Sequence, residues 1–136
     1  MRWIIVANLA RLGRLTDDDI SAELERDNTI TGAEQAAGAR AAQPTAAAKA
    51  SAWRLVVEED TIPNGTQHAI CMKFWQRDQD VVLFPYLHRY FEAAEAISAS
   101  AGPWASRGMS LRNNVLRYLF PWPVEIGRAH VRTPVT

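Results

Sequence analysis

The sequence predicts an all-α fold, and two observations support that prediction. Apolar residues recur at three- and four-residue intervals along most of the chain, and no stretch shows the sustained two-residue alternation typical of a half-buried strand. Residues that begin or end helices divide the chain at short intervals, so we expect about seven helices with short connections. The 136 residues are enough for one ordinary domain, and a hydrophobic fraction of 48% can build its core.

The first helix is predicted over residues 2–12 and ends at Gly13, a typical C-terminal cap. Ile5, Leu9 and Leu12 are spaced to form one apolar face. We expect this face, together with Trp3, to be partly exposed when no further helix covers it. The segment is too short and too often interrupted by polar residues to be a membrane span, which needs about 20 apolar residues.

The next three helices follow from cap residues. Thr16 or Asp17 begins the second, which carries Ile20 inward and ends near residues 27–28. The third is predicted over residues 31–42, with Thr31 and Glu34 as a capping box. Pro44 ends it, and the fourth runs over residues 45–59.

The segment from residue 33 to residue 52 is rich in alanine, at eleven of twenty positions. Such a composition occurs in low-complexity linkers and in closely packed helices. We favour helices, because alanine has the highest helix propensity and its small side chain lets helix axes approach.

Three further helices are predicted over residues 64–75, 78–100 and 104–120. Asn64 is expected to cap the first of them. Pro85 either kinks the second or lies in the first turn of a separate helix. Pro121 ends the third. Seven aromatic residues in this half and in the fourth helix are interpreted as core and not as a stacking platform: Trp53, Phe74, Trp75, Tyr86, Tyr90, Phe91 and Trp104.

The charge balance excludes several classes of function. Lysine plus arginine and aspartate plus glutamate number 15 each, so no net charge favours nucleic acid or an anionic membrane as a partner. The single cysteine, Cys71, cannot form an internal disulfide, and a reducing cytoplasm is the expected location.

The candidate sites are few. His68 and Cys71 are three residues apart and could place two metal ligands on one helix face, but no further ligand follows at a recognisable spacing, so a half-buried histidine and an inert cysteine are the simpler interpretation. Residues 58–60 are acidic and are interpreted as a solvated helix end that pairs with a basic side chain. Arg89, Arg112 and Arg117 could line a peptide-facing surface or be ordinary surface residues.

Several short motifs follow one another at characteristic spacing: Leu24-Glu25-Arg26-Asp27, Thr31-Gly32, Lys49 with Ala52-Trp53, Pro63-Asn64, Pro85-Tyr86 and Tyr90-Phe91. Their order and spacing resemble the helical C-terminal domain of bacterial aminopeptidase N, in the zinc aminopeptidase family that includes the endoplasmic-reticulum aminopeptidases. The resemblance implies an α-solenoid of HEAT-like helix pairs that caps the catalytic domain of its parent enzyme and limits the access of peptides to an enclosed cavity.

The zinc chemistry of that family requires a His-Glu-x-x-His motif and a Gly-x-Met-Glu-Asn strand, which this sequence lacks. Its three histidines are followed by Ala69, Arg89 and Val131. We therefore predict no catalytic, cofactor-binding or metal-binding residue in this chain, and zinc only in the parent enzyme. The alternatives are a stand-alone helical interaction module and, less in keeping with the sequence, a small enzyme of another class that uses His68 or His88.

The last residues differ in kind from the rest. Residues 126–131 and 133–136 match one reading frame of a common sequencing-library adapter, and Arg132 stands where the stop triplet would fall. A natural polar C-terminus that matches by accident is the alternative. We expect a helical domain fragment over residues 1–124 and a non-native tail over residues 125–136, whose removal changes stability little.

Overall fold

The computed structural model describes residues 2–121, and these form seven α-helices without a strand, which confirms the all-α prediction. The predicted tail over residues 125–136 lies outside the described residues. The stacking of helix pairs as a solenoid stays a prediction. The helices are α1 (Arg2–Arg11), α2 (Asp17–Arg26), α3 (Ile30–Ala42), α4 (Ala46–Trp53), α5 (Asn64–Phe74), α6 (Asp80–Ser98) and α7 (Met109–Asn113).

Threonine side chains begin three of these helices. Thr16, Thr29 and Thr45 each accept a hydrogen bond from the backbone N–H three residues on, and Thr16 forms a full capping box with Asp19. The predicted capping box of Thr31 is wrong. Thr29 caps α3 instead, because its hydroxyl also donates to the Asp27 carboxylate (2.8 Å) and is thereby held at the helix start.

Two π-helical turns extend α4 and α7. The turn Arg54–Glu58 continues α4, so the predicted end of the fourth helix near residue 59 is confirmed, although its last turn is wider than expected. The turn Asn114–Tyr118 continues α7. The predicted start of this last helix at residue 104 is wrong: a short 3₁₀ turn, Gly102–Ala105, buries Trp104, and α7 begins only at Met109.

Helices α5 and α6 depart from the prediction in detail. Asn64 is the first residue of α5 and not its cap, because Pro63 occupies the cap position without a side-chain hydrogen bond. Helix α6 runs through Pro85 as one element, which settles the choice between one helix and two. No helix within residues 2–121 combines the length and the hydropathy needed to cross a bilayer.

The core consists of two clusters. The larger joins α3, α4, α5, α6 and the two π-helical turns, and the smaller joins α1, α2 and α3 around Ile20. Six of the seven aromatic residues predicted to be core are buried, but Phe91 is 39% exposed because it lies on the outer side of α6. The inner ring contacts are edge-on or tilted, with Phe74 at 5.1 Å from Trp75 and at 5.3 Å from Tyr86 between ring centroids.

The alanine-rich segment forms packed helices, as predicted. Ala36 and Ala39 are buried on α3 in the cluster with α1 and α2, and Ala41 is buried in the larger cluster. Helix α3 also lies against α5. A Cβ atom at Gly38 would lie 3.2 Å from the Lys73 side chain and 3.3 Å from the Ala69 carbonyl oxygen. The small residues therefore set the close approach of the two helices.

Helix α1 turns a different face inward from the one its largest residues suggest. Val6, Ala7 and Ala10 are buried, whereas Ile5 and Leu12 are each 55% exposed. The helix ends at Gly13, whose φ of +75° places it in the left-handed region that favours glycine. The partial exposure predicted for the Ile5 face is confirmed.

Candidate functional site

His68 and Cys71 lie on α5 in different environments. Cys71 is buried, and burial raises the pKa of its thiol to about 12, so the thiolate needed for metal binding is disfavoured. The His68 ring is half-buried and meets the Tyr118 ring edge-on, with 4.4 Å between centroids. Within residues 2–121, the structure brings together no group of three histidine, cysteine or acidic side chains that could hold a metal ion.

The acidic residues at 58–60 lie at the end of the first π-helical turn. The Glu59 carboxylate forms an ion pair with Arg54 at 3.2 Å, and the Glu58 carbonyl oxygen accepts a hydrogen bond from Arg107. This ion pair confirms the predicted pairing with a basic side chain. It offsets the unfavourable position of an acid at a helix C-terminus.

The three arginines of the predicted peptide-facing surface have different environments. The Arg112 guanidinium donates to the carbonyl oxygens of Arg107 and Trp104 and to the Ser100 hydroxyl, so it holds the turn before α7 in place. Arg89 and Arg117 lie over the rings of Tyr86 and Tyr118, at 5.0 and 5.9 Å from the centroids. Arg112 is therefore a structural residue.

A groove of about 600 Å³ lies between the start of α2 and the helices α3 and α4. Alanine and leucine make up half of its lining residues, and Asp17, Arg40 and Gln43 are among its polar residues. Arg40 donates to the Ser21 hydroxyl at 2.7 Å. This groove is not predictable from the sequence, because its alanines are the same residues that indicate helix packing.

Lys49 is fully buried where two helices end. Its Nζ donates to the carbonyl oxygens of Ala41 (2.7 Å) and Phe74 (2.8 Å), which lie in the last turns of α3 and α5 and have no partner within their helices. Burial lowers the pKa of the Lys49 ammonium to about 7. The helix-end dipoles favour the cation by about 0.3–1 kcal/mol each, and the Phe74 ring lies 5.4 Å from Nζ. Desolvation of a buried ion costs several kcal/mol, however, and outweighs them.

Gln79 and Gln43 serve the neighbouring helix ends. The buried Gln79 amide donates to the carbonyl oxygens of Arg11 (3.0 Å) and Ala42 (2.9 Å), at the ends of α1 and α3, while its Oε1 is buried without a hydrogen-bond partner. Gln43 donates to the Leu15 carbonyl oxygen at 3.2 Å. Together with Lys49, these side chains bind the ends of α1, α3 and α5 into one polar cluster.

A second buried polar cluster serves the π-helical turns. The Gln67 amide nitrogen donates to the Val56 carbonyl oxygen (3.1 Å), and its oxygen accepts from Asn114 (2.7 Å). Arg107 donates to the carbonyl oxygens of Val57 and Glu58 at 2.6 and 3.0 Å. Most hydrogen bonds of both clusters go to backbone carbonyl oxygens, an arrangement that positions helices.

The fold and these clusters define a helical domain, and comparison with known families identifies its class. Residues 1–122 match the family described as ERAP1-like C-terminal domain. Because the match covers most of the chain, this chain belongs to that family.

A curated relative indicates the type of enzyme in which such a domain occurs. Aminopeptidase N of Streptomyces lividans is 45% identical to this chain over 121 residues, which cover 89% of this chain and 13% of the relative. The chain thus spans only a small part of that relative's length, and it corresponds to a C-terminal domain of aminopeptidase N.

Proposed function

We propose that this chain is a non-catalytic part of a zinc-dependent aminopeptidase N, which caps the catalytic domain and restricts the access of peptides to it. The observation that carries the proposal is the family match over residues 1–122 in a chain that lacks the His-Glu-x-x-His motif. In this proposal the domain contributes shape and exclusion, and the zinc and all bond-making groups belong to the remainder of the enzyme.

The surface of α1 supports a contact with another part of a larger protein. Ile4, Ile5 and Leu12 are exposed at 65%, 55% and 55%. Large apolar side chains grouped on one surface mark interaction sites in soluble proteins. We propose this surface, called the α1 face below, as the contact with the rest of the parent enzyme.

A first experiment tests the absence of catalysis. The purified chain is assayed for hydrolysis of an aminoacyl anilide and for bound zinc. We expect neither activity nor stoichiometric zinc. Hydrolysis that a chelator abolishes would contradict the proposal and would favour a small enzyme that uses His68 or His88.

A second experiment tests the restriction of access. The chain is added to the Streptomyces lividans relative from which the matching residues have been deleted, and the hydrolysis of a long peptide is compared with that of an aminoacyl anilide. We expect the chain to bind and to lower the ratio of long-peptide to anilide hydrolysis. An unchanged ratio despite binding would favour a stand-alone interaction module.

Matched variants locate the contact. Ile5→Glu with Leu12→Glu should abolish the effect, because two carboxylates on the α1 face oppose apolar burial. Val81→Glu changes a residue that is 91% exposed on α6 and serves as the control. Loss of the effect in the control alone would place the contact on α6.

We also propose that residues 1–124 form the functional unit, since the family match ends at residue 122. Deletion of residues 125–136 should leave the melting temperature nearly unchanged. A substantial fall in melting temperature would mean that these residues belong to the domain.

A further inference from the structure

The environment of Lys49 matches an uncharged amine better than an ammonium ion. A neutral amine has two N–H donors, and the two hydrogen bonds of Nζ go to two carbonyl oxygens, those of Ala41 and Phe74. An ammonium ion would have a third N–H group, and the face of the Phe74 ring lies 5.4 Å from Nζ. The side chain is fully buried.

The two carbonyls belong to different helices, so the same nitrogen joins the end of α3 to the end of α5. Gln79 joins the end of α1 to the end of α3 next to it. Opening of this region would release Lys49 to water, where its amine would take up a proton at neutral pH.

We propose that Lys49 is a proton-linked latch: its uncharged amine holds the ends of α3 and α5 together, and the proton it takes up on opening makes this region open more readily as the pH falls.

Other charged groups near Lys49 do not account for the proton uptake on opening. Helix α4 packs against α3, α5 and α6 and continues into the first π-helical turn. The ionisable residues that these elements carry closest in sequence to the latch are Arg40, Arg54, Glu58, His68, Cys71, Lys73 and Asp80. Arg40 binds Ser21, Arg54 pairs with Glu59, and His68 lies against Tyr118. The lowered pKa of Lys49 has burial as its cause.

The direction of the pH dependence follows from the protonation of Lys49 in the closed and the open state. The Lys49 pKa is lowered from 10.5 to about 7 in the closed state. Between those two pH values the open state binds a proton that the closed state lacks, so closure is favoured increasingly as the pH rises. Below about pH 7 both states are protonated and the dependence ends. One proton corresponds to about a tenfold change in the opening constant per pH unit.

The chain offers an internal control, because Lys49 and Lys73 are its two lysines and the Lys73 side chain is exposed. The full chain is labelled with lysine carrying ¹³C at the ε-carbon and titrated by NMR. We expect the Lys49 resonance to titrate near 7. A Lys49 midpoint at or above about 10 would overturn the latch, even if variants at this position fail to fold.

Amide hydrogen exchange then tests the opening itself. From pH 8.5 to pH 7.0 the opening constant of the α4 amides, corrected for intrinsic exchange, should rise about 15-fold in the wild-type chain and in Lys73→Met, because the closed state is itself half-protonated at the lower pH. Lys49→Met keeps the length of the side chain but removes the titrating group, and its opening constant should not change with pH. A rise of about 15-fold in Lys49→Met as well would overturn the proposal.

Discussion

Replacement of Trp75 by phenylalanine should destabilise the chain far more than the same replacement at Trp3. Trp75 is fully buried, and its indole N–H donates to the carbonyl oxygen of Leu119 at 2.7 Å, which joins the end of α5 to the end of the last helix. Phenylalanine leaves that buried carbonyl without this donor, at a cost of about 1–3 kcal/mol. The smaller ring adds a cavity term of about 1 kcal/mol, below the 3–5 kcal/mol typical of complete aromatic truncation. We expect a total loss of about 2–4 kcal/mol.

Trp3 provides the matched control. Its indole N–H donates to the Asp27 carboxylate at 2.8 Å, but at a half-buried position where water can replace the donor and where Thr29 still binds the same carboxylate. We expect Trp3→Phe to cost about 1 kcal/mol or less. Urea unfolding followed by far-ultraviolet circular dichroism measures both variants without relying on tryptophan fluorescence, and equal m-values would validate the comparison. Equal losses in the two variants would refute the reasoning from burial.

Three further predictions concern a helix cap, a buried thiol and an exposed apolar face. Thr16→Ala removes the capping box with Asp19 and should cost about 1 kcal/mol of stability in urea unfolding; no loss would mean that α2 needs no cap. Cys71 should resist a thiol-specific alkylating reagent at pH 8 in the native chain and react fully in denaturant, because burial raises the pKa of its thiol to about 12. Rapid native reaction would show an open α5. Sedimentation should reveal self-association of the isolated chain that Ile5→Glu with Leu12→Glu reduces; a monomeric wild-type chain would contradict the role of the α1 face.

Local signals in the sequence predict much of the fold. Gly13 ends α1, Thr16 begins α2 and Thr45 begins α4, as predicted, because each cap depends on the residue itself and on the backbone within three positions. The aromatic core was also predictable, since large rings at helical spacing have few alternatives to burial.

The wrong predictions arise where a side-chain contact, near or distant in the sequence, decides a local choice. Thr29 and Thr31 are both plausible caps, and the Asp27 carboxylate favours Thr29. The last helix starts late because Trp104 is buried in a separate turn, which Arg107 ties to the first π-helical turn 50 residues earlier in the chain. A single sequence carries no signal for such pairings.

The candidate site was the least predictable part, for the same physical reason. Lys49 and Gln79 look like surface residues in an alanine-rich helix and a polar loop, and nothing in their immediate neighbours indicates burial. The resemblance to a known family drew attention to the position of Lys49 but not to its contacts. The groove between α3 and α4 likewise depends on how far the helices stand apart, which the spacing of alanines does not determine.

The buried polar side chains explain how so many short helices remain together. Six of the seven α-helices contain 13 residues or fewer, and isolated helices of that length are marginal in water. Short helices multiply their ends, and each end leaves carbonyl groups that must find a donor when the end is buried. Lys49, Gln67, Gln79 and Arg107 supply those donors from other parts of the chain. Each of these side chains therefore joins two elements while it satisfies a carbonyl oxygen at a helix end. Loss of such a donor should weaken the packing between the two elements as well as the helix end itself.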